Sequence, residues 1–267
     1  MERSLGIDLG TNSIGLNLRE DDIFSWYGVY TFKKGVGEGK SGEFSYAAER
    51  TKHRSSRRLY NARRYRKWET LKVLIENSFC PLSEENFSKW KHYKKGIDRI
   101  YPINDISFQQ WIKLDFDNNG VPDYSSPYQL RRLLINDKLD LSVPENKFKI
   151  GRALYHFAQR RGFKSSRKSG ANEKTAVYKG SNETKTIGRN EYENLIIEKG
   201  SLGAAFAFLE DNSIRVRNRY TLRSDYQNEL QKILEFQQIE NKDFKENVEK
   251  AIFFQRPLRS QKGLIGK

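Results

Sequence analysis

Apolar and polar residues alternate along the amino-terminal part of the chain. In LGIDLGTNSIGL, residues 5–16, leucine and isoleucine alternate with glycine and with Asp8. A period of two turns the apolar side chains to one face of a strand and Asp8 to the other. The period continues to residue 18 and into the aromatic IFSWYGVYTF, residues 23–32, so we predict three antiparallel strands over residues 4–32. Because three strands alone leave a face uncovered, we expect other segments to complete this sheet.

The pattern then changes to helical. KKGVGEGKSGE, residues 33–43, holds four glycines and predicts a flexible connector. From Phe44 to Glu76 no proline or glycine interrupts the chain, which permits one helix of roughly 50 Å. Apolar residues at helical spacing, Trp68, Leu71 and Leu74, predict that its carboxyl-terminal end is anchored in a core.

Start and stop signals predict further helices, which makes the chain α+β. The signals are Ser83 for a helix ending near Gly96, Ser107 for SFQQWIKL, Ser126-Pro127 for YQLRRLLINDKL, Pro144 for a helix ending at Gly162, a Ser224/Gln227 capping box for a helix to about Gln237, and DFKENVEKAIFFQ. Residues 163–190 are polar and basic, which predicts a mobile loop.

Composition adds a polyanionic partner to this picture. The chain has 267 residues, a formal net charge of +15 and an isoelectric point near 9.7. Such a basic excess favours nucleic acid or an acidic membrane surface. The aromatic content of 13% favours nucleic acid, because bases stack on aromatic rings.

Several other classes of function lack support. The single cysteine, Cys80, excludes an internal disulfide framework and a Cys-ligated zinc site, and predicts a buried thiol in a reducing compartment. His53, His92 and His156 have no partners at metal-ligand spacing. DFDNNG, residues 115–120, matches only the front of a calcium loop, since serine occupies the twelfth position. With no signal-peptide pattern and no long apolar run, we expect a cytoplasmic protein that does not enter membranes.

An arginine-rich run carries the strongest functional signal. RTKHRSSRRLYNARRYRK, residues 50–67, has nine cations in eighteen residues and no acid. The candidate RNA-binding residues in it are Arg50, Arg54, Arg57, Arg58, Arg63, Arg64, Arg66 and Lys67. Like charges at i, i+4 destabilise an isolated helix by about 0.2–0.5 kcal/mol per pair, and phosphate would remove that repulsion. A solvated charged helix and a nuclear-localisation-like tract are the alternatives.

A second basic segment follows a predicted helix. LYHFAQRRGFKSSRK, residues 154–168, places Arg160 and Arg161 at the helix end and then adds Phe163 and Lys164. A ring for stacking and cations for phosphates fit a nucleic-acid backbone. The alternative is a carboxyl cap, because cations there also suit the helix dipole.

Asp8 allows three interpretations. It could be a turn residue of a β-hairpin, or part of a phosphate loop like that of actin-like ATPases, which GIDLGTNSIG resembles. It could also be a metal ligand of a ribonuclease-H-like nuclease, in which carboxylates hold two Mg²⁺ ions. Glycines on either side would let a bulky substrate backbone approach. This motif alone does not choose among them.

The order of these motifs resembles the amino-terminal part of CRISPR type II effectors, which are RNA-guided DNA endonucleases. The likeness rests on GIDLGTNSIG, the arginine-rich run, PYQLRRLLINDKL, LYHFAQRRGFKSS and IFFQRPLRSQKGLIGK, and so extends over essentially the whole chain. It implies a first RuvC-like segment over residues 1–43, an arginine-rich bridge helix over 44–76 and a partial helical recognition lobe over 77–267.

The resemblance also implies roles for residues. Asp8 would be a catalytic carboxylate that coordinates Mg²⁺ (or Mn²⁺). The bridge-helix arginines would grip the guide RNA near its seed, and Arg160, Arg161, Phe163 and Lys164 would contact repeat and anti-repeat RNA. The implied partners are guide RNA (crRNA and tracrRNA), target DNA and the remainder of the endonuclease chain, and we expect a monomer bound to RNA. In this family base pairing reads sequence while the protein reads backbone shape.

The chain departs from the full family pattern. Two later nuclease motifs, an HNH domain and a PAM-reading domain are not found before Lys267. Two-metal hydrolysis needs several converging ligands, so we expect that this chain alone does not cut DNA. It would be part of the endonuclease, or a truncated module that keeps RNA binding. An actin-like ATPase would need a second phosphate loop, whereas the later residues offer arginines and helices.

Overall fold

The structure, a computed structural model, describes residues 2–39, 42–91, 105–162, 190–216, 219 and 221–255. The chain divides into two compact units, Met1–Asn61 and Ala62–Lys267, and the boundary falls within the first helix. The first unit holds a small antiparallel sheet and the second is helical, so the chain is a mixed α/β protein. None of the helices in the described ranges is long and apolar enough to cross a membrane.

The elements follow one another in the order of strands and then helices. The strands are β1 Arg3–Leu9, β2 Ser13–Glu20, β3 Ile23–Thr31, β4 Val36–Gly39 and β5 Gly42–Ser45. The helices are α1 Tyr46–Glu76, α2 Glu84–Lys91, α3 Ile106–Lys113, α4 Pro127–Asn136, α5 Pro144–Gln159, α6 Asn190–Lys199, α7 Leu202–Asp211, α8 Arg223–Phe236 and α9 Lys242–Ile252.

The first three strands form one sheet in the order β1-β2-β3, with both pairs antiparallel. This confirms the three strands predicted from the alternating pattern. Ile7 pairs with Leu16 and Asp8 with Gly15, so the apolar residues and Asp8 lie on opposite faces as expected. The apolar residues of this sheet are nevertheless exposed to solvent, with Leu9 at 75%.

The prediction of a flexible connector over residues 33–43 is wrong. Strands β4 and β5 pair as a hairpin in which Val36 faces Ser45 and Gly39 faces Gly42. The hairpin is hidden in the sequence because glycines carry no side chains that could show an alternating pattern. It also shortens the predicted helix, since Phe44 lies in β5 and α1 begins two residues later.

The second unit has a compact core. Helix α1 contributes Leu71 and Leu74, both fully buried, as the sequence predicted. Leu130 of α4, Leu154 of α5 and Leu230 of α8 are also fully buried. The helix starts follow the sequence unevenly, because neighbouring residues compete for the N-cap position.

Three predicted helix starts give one agreement and two differences. Ser126 caps α4 as predicted and accepts hydrogen bonds from the backbone N–H groups of the second and third helical residues. Ser107 does not cap α3, because Asp105 accepts from Phe108 N at 2.9 Å instead. At α8 the predicted Ser224 box is replaced by Asp225, whose carboxylate accepts from Leu222 N at 3.0 Å.

A buried ion pair joins α4 to α8. Arg131 donates from Nε to Glu229 Oε1 at 2.9 Å and from Nη2 to the other carboxylate oxygen, and both side chains are fully buried. Glu229 also accepts from Gly203 N at 2.9 Å. His156 Nδ1 lies 3.4 Å from Arg131 Nη1, and burial together with nearby arginines holds the pKa of His156 well below its usual value.

The single cysteine lies in this core. Cys80 is 6% exposed, as predicted for a core thiol, and burial raises the pKa of its thiol to about 12. The thiolate is therefore strongly disfavoured.

Candidate nucleic-acid interface

The amino-terminal half of α1, in the first unit, displays a row of arginines. Arg50, Arg54, Arg57 and Arg58 are all exposed. At 3.6 residues per turn the first three share one face of the helix. In residues 2–39 and 42–61 none of these four guanidinium groups has a carboxylate within ion-pair distance, so this face is positive and uncompensated. The exposed Glu49 pairs with His53 instead, at 3.8 Å.

The carboxyl-terminal half of α1, in the second unit, divides its cations into two environments. Arg63 and Arg64 are exposed, and Lys67 is half-buried. Arg66, which the sequence grouped with them, is only 5% exposed. Its Nη1 makes a long contact of 3.4 Å to Ala62 O, and its buried Nε has no hydrogen-bond partner within the part of the chain that the structure describes.

Arg66 belongs to a cluster of three arginines from α1, the end of α5 and the start of α8. Arg161 donates from Nη1 to the backbone carbonyls of Phe253 at 3.2 Å and Phe254 at 2.5 Å. Arg223 donates from Nη1 to Gln255 Oε1 at 2.7 Å. Within the described ranges neither Arg66 nor Arg161 contacts a carboxylate. The partners of Arg161 are neutral, so its charge is left without a counterion there.

The electrostatics of this cluster are unfavourable without an anion. Burial and the neighbouring guanidinium groups of Arg66 and Arg223 lower the pKa of Arg161 to about 9. Burial also lowers the pKa of Arg66, and Arg63 and Arg223 lower it further. Mutual repulsion of partly buried cations is a cost that a bound anion would remove.

Arg160 and Arg161 point to different surroundings although they are adjacent in sequence. Arg160 is the exposed carboxyl-cap residue of α5, and its N–H donates to His156 O at 2.9 Å. Gly162 has φ +69° and lies so near the start of α8 that a Cβ would be 2.3 Å from Leu222 O. This close approach brings the Arg161 segment against α8. Phe163 and Lys164 lie outside the described residues, as does the predicted loop over 163–190 except for its last residue, which begins α6.

The sequence did not identify Arg223 as part of this cluster. Arg223 lies far along the chain from the arginine-rich run and ends RVRNRYTLR, residues 215–223, which holds four arginines. That stretch and its place at a predicted helix start, where a cation opposes the helix dipole, were the signals that could have found it. Its proximity to Arg66 and Arg161 follows from tertiary packing alone.

Asp8 lies within the β1–β2 ladder, so its interpretation as a hairpin turn residue is wrong. The turn lies beyond it, where Gly10 N donates to Ser13 O at 2.9 Å. Asp8 is exposed and faces Gly15, and a Cβ on that glycine would be 3.4 Å from the Asp8 Cβ. The absent side chain leaves room for a ligand beside the carboxylate.

This carboxylate does not form a metal site with the other residues that the structure describes. No group of three or more histidine, cysteine, aspartate or glutamate side chains gathers there in a way that could hold a metal ion. A single carboxylate is too small a donor set for Mg²⁺, which favours octahedral oxygen coordination. The Asp8 carboxylate and the other described residues therefore do not suffice for two-metal hydrolysis.

In sequence and in fold the chain is similar to one class of protein, the CRISPR type II effectors. No protein-family model matches the chain. A curated relative is the CRISPR-associated endonuclease Cas9 of Campylobacter jejuni, which is 28% identical over 281 residues. That alignment covers 100% of this chain and 25% of the relative.

Solved structures give the same result. The crystal structure of Campylobacter jejuni Cas9 in complex with sgRNA and target DNA is 26% identical, with a TM-score of 0.55, over 97% of this chain and 30% of that chain. Corynebacterium diphtheriae Cas9, also with sgRNA and target DNA, is 18% identical with a TM-score of 0.52 over 99% of this chain and 28% of that chain, and supports the fold alone. The chain is thus similar to the amino-terminal portion of a Cas9-like type II effector and spans about a quarter of its curated relative.

Proposed function

We propose that this chain is part of a CRISPR-associated, RNA-guided DNA endonuclease and binds the backbone of the guide RNA. The observation that carries the proposal is the set of guanidinium groups without carboxylate partners: the exposed arginines of α1 and the partly buried Arg66 and Arg161. The solved relative was crystallised with sgRNA and target DNA, which supports nucleic acid as the ligand.

Phosphate chemistry fits both sets of arginines. The planar guanidinium fork matches phosphate oxygens and stays charged, so exposed arginines on one helix face can follow a phosphate backbone. The Arg66 and Arg161 groups offer a more buried contact, in which lower local dielectric strengthens the attraction. In this proposal α1 acts as the bridge helix and the second unit as the start of the recognition lobe.

The first unit would contribute to a RuvC-like nuclease site. Asp8 would supply one carboxylate ligand for Mg²⁺ (or Mn²⁺), the ions that support phosphodiester hydrolysis in such sites. The remaining ligands would come from the rest of the endonuclease chain, so the chain described here would not cleave by itself. The exposed apolar residues of the β1–β3 sheet support this, because such a surface is ordinarily covered by further protein.

Salt dependence of RNA affinity tests the RNA-binding proposal. Replacing Arg57, Arg58, Arg63 and Arg64 together by alanine should make the slope of log K against log salt less steep by about 3, because each lost phosphate contact removes about 0.7. Filter binding of a structured guide RNA over a salt series measures the slope. The control replaces four exposed lysines by alanine, Lys89, Lys138, Lys232 and Lys242.

The two variants separate specific contacts from net charge. Both lose four positive charges, so a general effect of charge would move them equally. An arginine variant with the wild-type slope, or a lysine variant that falls as far, would contradict the proposal.

The role of Asp8 is tested in the complete nuclease. Asp8→Ala should abolish cleavage of the non-target strand while RNA affinity stays unchanged, since the carboxylate would act on the metal and not on the guide. Asp22→Ala, an exposed acid of the β2–β3 turn, is the control and should cut both strands. Cleavage of both strands by Asp8→Ala would remove Asp8 from the site.

A further inference from the structure

A cleft of about 360 Å³ opens in the second unit, between the starts of α4 and α8 and the carboxyl-terminal parts of α5 and α7. Its size lies within the range of ordinary small-ligand pockets. Aromatic side chains line one part of it, namely Tyr128, Phe206 and Tyr226. Arg160 and Arg219 line another part. These residues come from four separate segments of the chain, and only Arg160 among them stood out in the sequence.

These three aromatic side chains, called the aromatic wall below, pack against one another and against a buried arginine. The rings of Tyr128 and Phe206 meet edge to face with centroids 5.2 Å apart. The buried guanidinium of Arg131 lies 5.3 Å from the Tyr128 ring and 5.2 Å from the Tyr226 ring. Since Arg131 is fixed by Glu229, both tyrosines have a rigid backing, and the wall is preformed.

The polar groups of the cleft are of both signs. Arg160 is exposed at its rim, and Arg219 has a buried Nε with no hydrogen-bond partner in the described ranges. Glu210 also lines the cleft, and one of its carboxylate oxygens accepts from the Ser126 hydroxyl. The other oxygen has no donor partner among the described residues, so it is open to an N–H group of a ligand.

We propose that this cleft holds a single unpaired nucleotide of the bound RNA. The base would stack on Tyr128, the half-buried ring of the wall, because Phe206 and Tyr226 are only 2% and 3% exposed, and its phosphate would contact Arg160 and Arg219. Glu210 would accept from an exocyclic amino group, so guanine, adenine or cytosine would be preferred over uracil. The inference rests on the RNA-binding function proposed above and adds a position at which one nucleotide is unstacked. A free nucleotide has the same chemistry and is the competing source.

Hairpins with and without one bulged nucleotide test this proposal on the full chain. Two RNA hairpins differ only by a single bulged 2-aminopurine, whose fluorescence reports stacking on aromatic rings. The bulged hairpin should bind about 5- to 100-fold more tightly, the gain typical of one base on an aromatic side chain, and its fluorescence should change on binding. Arg219→Gln should remove most of this preference.

Arg215→Gln is the matched control. Arg215 is exposed, lies four residues from Arg219 and does not line the cleft, so the substitution removes the same charge from the same segment. It should keep the preference for the bulge. Glu210→Gln, which preserves an acceptor for Ser126, should remove the preference for bulged guanine over bulged uracil while the hairpin still binds.

The outcomes distinguish this inference from the proposed function. Equal affinity for both hairpins, or the same loss in Arg219→Gln and Arg215→Gln, overturns the nucleotide site while RNA binding stands. Failure of every hairpin to bind overturns the RNA-binding function and the site with it. Guanosine monophosphate that binds with dependence on Arg219 while the bulge gives no gain would assign the cleft to a free nucleotide and overturn the RNA assignment.

Discussion

The two units of this chain use similar apolar residues in opposite ways. In the sheet unit Trp26 is 52% exposed, whereas in the helical unit Trp111 is 2% exposed and donates from Nε1 to Phe148 O at 2.8 Å. The strands form because alternation and β-branched and aromatic side chains favour them, and that local preference does not require burial. The difference shows that a hydrophobic pattern predicts an element more reliably than it predicts what covers the element.

The arginines also differ in burial between two regions of the chain. Arginines on the amino-terminal half of α1 are exposed and have no acid partner among residues 42–61, whereas Arg131 of the helical unit is fully buried against Glu229. An isolated buried cation is costly, so Arg131 requires its carboxylate for folding. The exposed arginines of α1 stay accessible to solvent, so they are open to an anion without being needed for folding.

The largest expected effect comes from breaking the buried pair. Glu229→Gln should destabilise the chain by about 3–5 kcal/mol, because the Arg131 guanidinium stays buried without its counterion. The control is Asp211→Asn, which breaks the half-exposed pair of Arg132 Nη1 and Asp211 Oδ2 at 2.5 Å and should cost less than about 1 kcal/mol. Urea unfolding followed by circular dichroism measures both. Equal losses would show that burial does not set the strength of these pairs.

Paired leucine substitutions test the comparison of the units directly. Leu130→Ala should cost about 2–5 kcal/mol, because it opens a cavity at a fully buried position. Leu9→Ala, at a position 75% exposed, should change stability by less than about 0.5 kcal/mol. Chemical unfolding, with hydrogen exchange to report each unit separately, checks the pair. A large loss in Leu9→Ala would mean that the sheet buries this face in solution.

A smaller effect should separate the buried histidine from the exposed one. The pKa of His156 is lowered in the folded chain, and an unfolded histidine titrates near 6.5, so the unfolded chain takes up the proton first. The stability from neutral His156 is therefore present above about pH 6.5 and is lost as pH falls below it, by up to about 1.4 kcal/mol per pH unit. His156→Gln should flatten this part of the stability profile.

His53→Gln provides the control for the pH profile. His53 is exposed on α1, so the difference between the two variants isolates the effect of burying His156. Urea midpoints at several pH values supply the measurement. A slope that persists in His156→Gln would assign the acid sensitivity to other groups.

Sequence patterns predicted most of the fold where a local rule decides the structure. The three strands, the end of α1 at Glu76 and the Ser126 cap follow from alternation, uninterrupted helix formers and capping chemistry. The capping prediction failed where two residues can occupy the N-cap position of one helix, as with Asp105 and Ser107 at α3. The strand prediction failed where glycines hide the period, as in the β4–β5 hairpin.

The candidate interface was predictable only in part, for the same reason. The arginines of α1 stand out as a run of one charge within a helix, which the sequence shows directly. The burial of Arg66 and its proximity to Arg161 and Arg223 depend on which helices pack together, and no spacing in the sequence encodes that. The cleft around Tyr128 and Arg219 was not predicted for the same reason.

The environment of Cys80 makes surface chemistry on this chain selective. Thiolates are the nucleophiles that react with alkylating reagents, and a buried thiol whose pKa is about 12 supplies almost no thiolate at neutral pH. Because Cys80 is the chain's only cysteine, one new cysteine at an exposed position such as Ser55 would react with maleimide dyes ahead of it. A fluorophore or spin label could thus be attached beside the α1 arginines without first removing the native thiol.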